Sequence, residues 1–297
     1  MDALVQRGHL KNPKSPRSYT SMTPPRIADN TMILAVTGPD LPLSSPSDDG
    51  WFISDFYAWN CILKGLGSHQ TWLSLVTPQE LVDEYVQFLH GNPYEPHKVV
   101  LSQDIIDTKK ITEPTIVQSG KMVETFLTTL KAHIETANGR PILVLIFGHG
   151  QYSDCSIILE YEHYYDTEDA DTYFQHQLNI SAFEAVIQDA PDITLITNAC
   201  YFGGWTISAG MHASTITAAN RKTKSIAWPK EHEMTNGSIF TTAMISFLRD
   251  NEDVATDMAS YNRMCSDILE LMKRRVTRLW NKHKFTFSVE QDHWDRE

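Results

Sequence analysis

The stretch PILVLIFGHG, residues 141 to 150, constrains this chain more than any other. Six consecutive apolar residues, Ile142 to Phe147, stop abruptly at Gly148, His149 and Gly150. A short apolar run of this kind reads as a strand buried on both faces. A second run follows the same plan: DITLIT at 192–197 leads straight into Asn198, Ala199 and Cys200. Two buried strands therefore end in residues that can react.

The rest of the chain alternates strand and helix. MILAVTG (32–38), TWLSLV (71–76) and KVVL (98–101) read as strands. SIILEY (156–161) reads as the return strand of a hairpin, and 213–218 and 223–228 as two more. Apolar residues at helical spacing mark 51–65, 78–90 and 118–137, the last with Met122, Phe126, Leu130 and Ile134 in line. Further helices are expected at about 180–189, 237–249 and 253–281. Strands separated by helices imply an α/β fold, with a mainly parallel sheet covered on both faces. Residues 1 to 30 hold four prolines and five basic residues outside any apolar period. They are expected to form a flexible arm, leaving 31–297 as one domain.

Composition narrows the function. Hydrophobic residues make up 41 % and charged residues 21 %, which is enough for a full core. A net charge of −12 argues against nucleic acid or an anionic membrane as the main partner. No apolar run is long enough for a membrane span, and the first residues lack the apolar core of a signal peptide. The four cysteines form no CxxC pair. The expected setting is reducing and cytoplasmic, where one cysteine can serve as a working thiol. No cofactor or metal is expected: His163, His176 and His232 lack ligand spacing. The six carboxylates between Glu160 and Asp171 lack the order of a calcium loop and are expected to be solvated.

In open α/β sheets, sites form beyond the carboxyl ends of the strands. Neighbouring parallel strands would bring His149 and Cys200 to one edge. An imidazole there takes the thiol proton and later protonates a leaving amine. Glycine lets the backbone come close, and Gly150 N–H and Cys200 N–H are the natural donors to an oxyanion. Losing one such donor costs about 3 kcal/mol in the transition state.

With these residues in view, the chain resembles caspase/legumain-type cysteine peptidases. IFGHG is similar to their strand-His-Gly block, and ITNACYFGGW to their strand-Ala-Cys block. STITAANRKTKSIAW (214–228) is similar to the legumain segment after the nucleophile, and NGSIFTTAMISFL to the helix that follows. The spacing of 51 residues from His149 to Cys200 is near the ~50 quoted for caspases. The resemblance implies a three-layer α/β/α sandwich around a six-stranded, mostly parallel sheet. It implies His149 as acid and base, Cys200 as nucleophile, and Gly150 with Cys200 as oxyanion donors. It also implies that strand 223–228, with Ser225, Ala227 and Trp228, pairs with an extended substrate.

The chain departs from the group's pattern in places. Asn198 stands where legumains carry glutamate and caspases glutamine. Ile53 and Asp55 align with the legumain asparagine that orients the histidine and the arginine that lines the substrate pocket. Asp55, alone or joined by Asp48 or Asp49, would make that pocket acidic; otherwise Asp48 and Asp49 are loop residues and Asp55 faces solvent or caps its helix. The expected activity is hydrolysis of a peptide bond through a thioester at Cys200. The alternatives are an amide hydrolase or acyl transferase acting on a small biosynthetic substrate, with Tyr201, Phe202 and Trp205 forming an apolar pocket, or an inactive binding protein on the same scaffold. Oligomeric state stays open.

Overall fold

Residues 142–147 do form a strand, and it lies near the middle of the sheet. The structure is a computed structural model that describes residues 27–94, 96, 98–163, 173–188, 190, 192–206, 213–219, 222, 224–228, 236–250 and 286–288. Nearly all of the expected N-terminal arm, the helix expected at 253–281 and most of the acidic loop lie outside the described residues.

The elements in chain order are β1 (Met32–Thr37), α1 (Gly50–Leu63), β2 (His69–Ser74), α2 (Pro78–Tyr85), β3 (Gln87–His90) and β4 (Lys98–Ser102). Then come α3 (Gln103–Asp107), β5 (Thr115–Ile116), α4 (Met122–Ala137), β6 (Ile142–Phe147), β7 (His149–Gly150), β8 (Ile157–His163) and β9 (Tyr173–Leu178). The chain continues through α5 (Ile180–Ile187), β10 (Ile193–Thr197), α6 (Gly203–Thr206), β11 (Ser214–Thr217), α7 (Ile239–Asp250) and β12 (Thr286–Ser288).

The central sheet runs β12-β11-β10-β6-β1-β2-β5. Six of its strands are mutually parallel, and the three-residue β12 joins β11 antiparallel at one edge. Alternation along β6 explains its unbroken apolar run. Leu143, Leu145 and Phe147 enter one core with α1, α2 and α7, while Ile142, Val144 and Ile146 enter another with α4 and α5. Helices thus cover both faces, giving the expected three-layer α/β/α sandwich with six parallel strands.

Several expectations need correction. The helix expected over 78–90 starts well, with Pro78 in its first turn and a Thr77–Glu80 capping box, but ends at Tyr85. Val86 takes a left-handed backbone (φ 68°), and Leu89 belongs to β3. β3 and β4 pair as a separate hairpin, so KVVL is no part of the central sheet. β9, not expected, pairs antiparallel with β8, which in turn pairs with β7. Residues 224–228 contribute one isolated bridge, Ala227 to Ser238, rather than a strand of the sheet.

Glu160 is not a solvated loop carboxylate. It is 1 % exposed on β8. Its Oε1 accepts hydrogen bonds from Ser119 Oγ (2.9 Å) and the Gly120 N–H (2.6 Å), and its Oε2 accepts from the Met122 N–H (3.3 Å). It therefore caps the start of α4 from across the fold. Glu160→Ala strands these buried donors and is expected to lower stability by roughly 1–3 kcal/mol, read as a reduced urea midpoint with an unchanged slope.

Candidate active site

β10 pairs with β6 in parallel, Thr197 standing beside Ile146, an offset of 51 residues. The Thr197 hydroxyl donates to the Ile146 carbonyl at 2.8 Å and pins the pair. Past the strand ends Gly150 comes against the Cys200 backbone, which puts its chain neighbour His149 at the same edge of the sheet. Beyond β6 the chain turns into β7, so His149 and Gly150 leave the sheet as β8 takes them up. Gly150 lies so close to the backbone of Cys200 that a Cβ there would collide with the Cys200 carbonyl. The glycine after the histidine is a requirement of this contact. After Cys200 the chain reverses through Tyr201 in the left-handed region (φ 56°), whose ring meets Tyr152 edge-on at 5.3 Å.

Cys61, Cys155 and Cys200 carry free thiols. The Cys200 sulfur accepts the Ser225 N–H at 3.3 Å and lies 3.8 Å from the Ser225 carbonyl. Burial pushes this thiol above its ordinary range; the Ser225 N–H, the Lys224 ammonium and the Gly150 N–H pull the other way. His149 and the sulfur are not hydrogen-bonded to each other. Instead the imidazole Nε2–H donates to Asp49 Oδ1 at 2.7 Å. The ring sits in an aromatic collar: Phe52 edge-on at 4.9 Å, Tyr161 at 6.3 Å and Trp51 at 6.4 Å.

Asp55 is neither in a pocket nor in solvent. It is fully buried, with its carboxylate surrounded by protein donors. Oδ1 accepts the Ser238 N–H at 2.8 Å, and Oδ2 accepts Asn198 Nδ2 (2.7 Å), Ser238 Oγ (2.5 Å) and Thr241 Oγ1 (2.8 Å). His90 Nε2 stands 3.3 Å from Oδ1. Gly237, in the left-handed region, leaves room for this packing, because a Cβ there would meet both Asp55 and His90. Asn198 is thus held by its amide nitrogen, while its Oδ1 is buried without a partner; the Ser225 hydroxyl shares that condition. Ala227 is half-buried, and Trp228 turns inward, its indole N–H donating to Thr242 Oγ1 at 2.9 Å. Phe202 and Trp205 are wholly buried in the core, so they do not form the apolar pocket expected around the thiol. Ile53 is also buried in the core and orients nothing polar.

Sequence reasoning did not find the Asp49–His149 contact, since the partners are 100 residues apart and nothing local marks the pairing. Among the described residues, no group of three or more His, Cys, Asp or Glu side chains is arranged to hold a metal, and no helix is long and apolar enough to cross a membrane.

Neither family models nor curated proteins match this chain. Among solved structures, it is similar to a caspase-1 from Spodoptera frugiperda at 14 % identity, covering 89 % of this chain and 82 % of that one with a TM-score of 0.39. It is also similar to a secreted C11 cysteine protease from Bacteroides thetaiotaomicron at 11 % identity, covering 87 % and 85 % with a TM-score of 0.31.

Proposed function

We propose that the chain is a cysteine-dependent hydrolase of peptide bonds, with Cys200 as nucleophile and His149 as acid and base. The observation that carries this reading is the β6–β10 register, with an imidazole at one strand end and a free thiol at the next. The imidazole takes the Sγ proton, and the sulfur attacks the carbonyl carbon to form a C–S bond. Gly150 N–H and Cys200 N–H hold the oxyanion. The imidazolium returns its proton to nitrogen as the C–N bond breaks, and water then hydrolyses the thioester.

Residues 225–228 favour a peptide over a small amide. The Ile226 carbonyl accepts the Ile239 N–H, and the Trp228 N–H donates to the Gly237 carbonyl. By alternation, the backbone groups of Ser225 and Ala227 face the opposite edge, where an extended substrate would add as a strand. The Ser225 N–H, now on the sulfur, would transfer to the substrate backbone. Asn198 Oδ1 and Ser225 Oγ, buried without partners, would meet a polar substrate side chain.

The test uses the full-length protein and a peptidyl acyloxymethyl ketone, with labelled thiols mapped by mass spectrometry. Cys200 is expected to react, while buried Cys155 and Cys61, whose thiol burial pushes up to about 11, do not. His149→Ala is expected to slow labelling by about a hundredfold or more. Labelling spread evenly over the thiols, or indifferent to His149→Ala, overturns the reading and leaves an inactive binding protein. Labelling of Cys200 without cleavage in a positional peptide library points to a small amide substrate instead. Gly150→Ala forces the two backbones apart and is expected to cost about 10²–10³-fold in labelling rate while leaving the cooperative thermal unfolding in place.

A further inference from the structure

We infer that Asp49 completes the catalytic group as the residue that positions His149. This rests on the hydrolase reading above and goes beyond it, because it adds a third member from a third strand end. β1, β6 and β10 are adjacent and parallel. Each delivers one residue past its carboxyl end: Asp49 after the loop that leaves β1, His149 after β6, and Cys200 after β10. The sheet also changes winding direction between β1 and β6, the place where ligand crevices open in such folds.

Asp49 is built for this contact. It occupies the N-cap position of α1, where an aspartate ordinarily accepts a backbone N–H of the first turn. Here its side chain makes no cap bond. The carboxylate is spent on His149 instead, at 2.7 Å. The backbone around it is fixed: the Asp49 N–H donates to the Leu43 carbonyl at 2.8 Å, and its own carbonyl accepts the Phe52 N–H at 2.9 Å. The Asp49 side chain is 15 % exposed and the imidazole 36 %, so the pair is partly shielded from water.

The chemical consequence follows from the tautomer. With Nε2–H committed to Asp49, Nδ1 is the nitrogen left to receive a proton. The Sγ–H bond breaks, its proton passes to Nδ1, and the electron pair stays on sulfur to form the new C–S bond. Asp49 then faces the imidazolium and stabilises it. An amide in its place can donate to Nε2 and select the opposite tautomer, which carries its hydrogen on Nδ1 and cannot accept the thiol proton. In the Ser-His-Asp triad the same exchange costs about 10⁴-fold.

The groups that set the pH response come from four elements. Asp49 approaches the imidazole from the start of α1, and Tyr161 approaches from β8. Burial, with Asp49 beside it, pushes the Tyr161 phenol up to about 12, so that group stays neutral over the useful range. Cys200 follows β10, and Lys224 favours its thiolate.

The experiment measures alkylation of Cys200 by iodoacetamide between pH 6 and pH 10 in the full-length protein. Iodide leaves as the carbon bonds to sulfur. Asp49→Asn is expected to be at least about a hundredfold slow at neutral pH. The deficit should narrow as the pH rises, because a growing fraction of the thiol ionises without help from a base. Asp49→Glu, which keeps the carboxylate, should recover much of the neutral-pH rate with a profile shaped like the parent's. Nitrogen-15 shifts of His149 should report the Nε2–H tautomer in the parent and its loss in Asp49→Asn. A wild-type profile for Asp49→Asn alongside a slow His149→Ala overturns the role of Asp49 and spares the hydrolase. A wild-type rate for His149→Ala sinks both. A deficit of equal size at every pH means that Asp49 merely supports the fold, and it also overturns the inference. Should Asp49→Asn melt below the assay temperature, Asp49→Ala, which also removes the carboxylate, is measured below its own melting point and decides by the same criterion of profile shape.

Discussion

The parallel pairing of β6 with β10 is the constraint on which everything else depends. Its offset makes Thr197 the neighbour of Ile146, and beyond the strand ends Gly150 comes against the backbone of Cys200. The register is held from both faces. Leu143, Leu145 and Ile196 lock into the core under α1 and α7, while Ile142, Val144, Ile193 and Leu195 lock into the core under α4 and α5. A slip of one residue would turn every one of these side chains to the wrong face. The cost of misplacing so many buried apolar groups, about 1.5–3 kcal/mol each, far exceeds anything the site itself contributes. The site is thus positioned by packing that takes no part in its chemistry.

Two aspartates at the start of α1 serve opposite ends of that arrangement. Asp49 sits at the rim and turns its carboxylate to the imidazole. Asp55, fully buried, gathers Asn198, Ser238, Thr241 and His90 around one carboxylate. A buried carboxylate is tolerated only when it is well supplied with donors, and removal of one partner leaves several others unsatisfied. Asp55 therefore fixes the segment around Ser238 to Asn198, two places before Cys200. Because the 225–228 segment bonds to 237–239, Asp55 also controls where Ser225 meets the sulfur.

Much of the fold could be read in the chain because its signals were local. The unbroken apolar runs of β6 and β10 and the four-residue spacing of Met122, Phe126 and Leu130 each report burial through a period. The failures have physical causes of their own. Val86 ends α2 in a left-handed conformation without glycine or proline to announce it. β9, YFQHQL, lacks the clean alternation of a half-buried strand and exists because β8 offers it a partner. Glu160, Asp49 and Asp55 were misread for one shared reason. Their roles are set by partners 35 to 186 residues away, and no pattern along the chain records such contacts. Residue types at strand ends made His149 and Cys200 the candidates, whereas the contacts of Asp49 and Ser225 with them emerge only from the fold.

The surroundings of the sulfur bear on how it would react. Burial favours the neutral thiol, while two backbone N–H groups and the Lys224 ammonium favour the thiolate, and burial is the larger influence. For the proposed chemistry the imidazole must be ready to take the thiol proton. That readiness depends on one ring nitrogen being free, and the ring is held by a carboxylate on one side and by three aromatic rings around it. The aromatic collar limits rotation of the imidazole, and the carboxylate selects which nitrogen carries hydrogen. The Ser225 N–H that would meet a substrate backbone in the proposed chemistry now lies against the Cys200 sulfur.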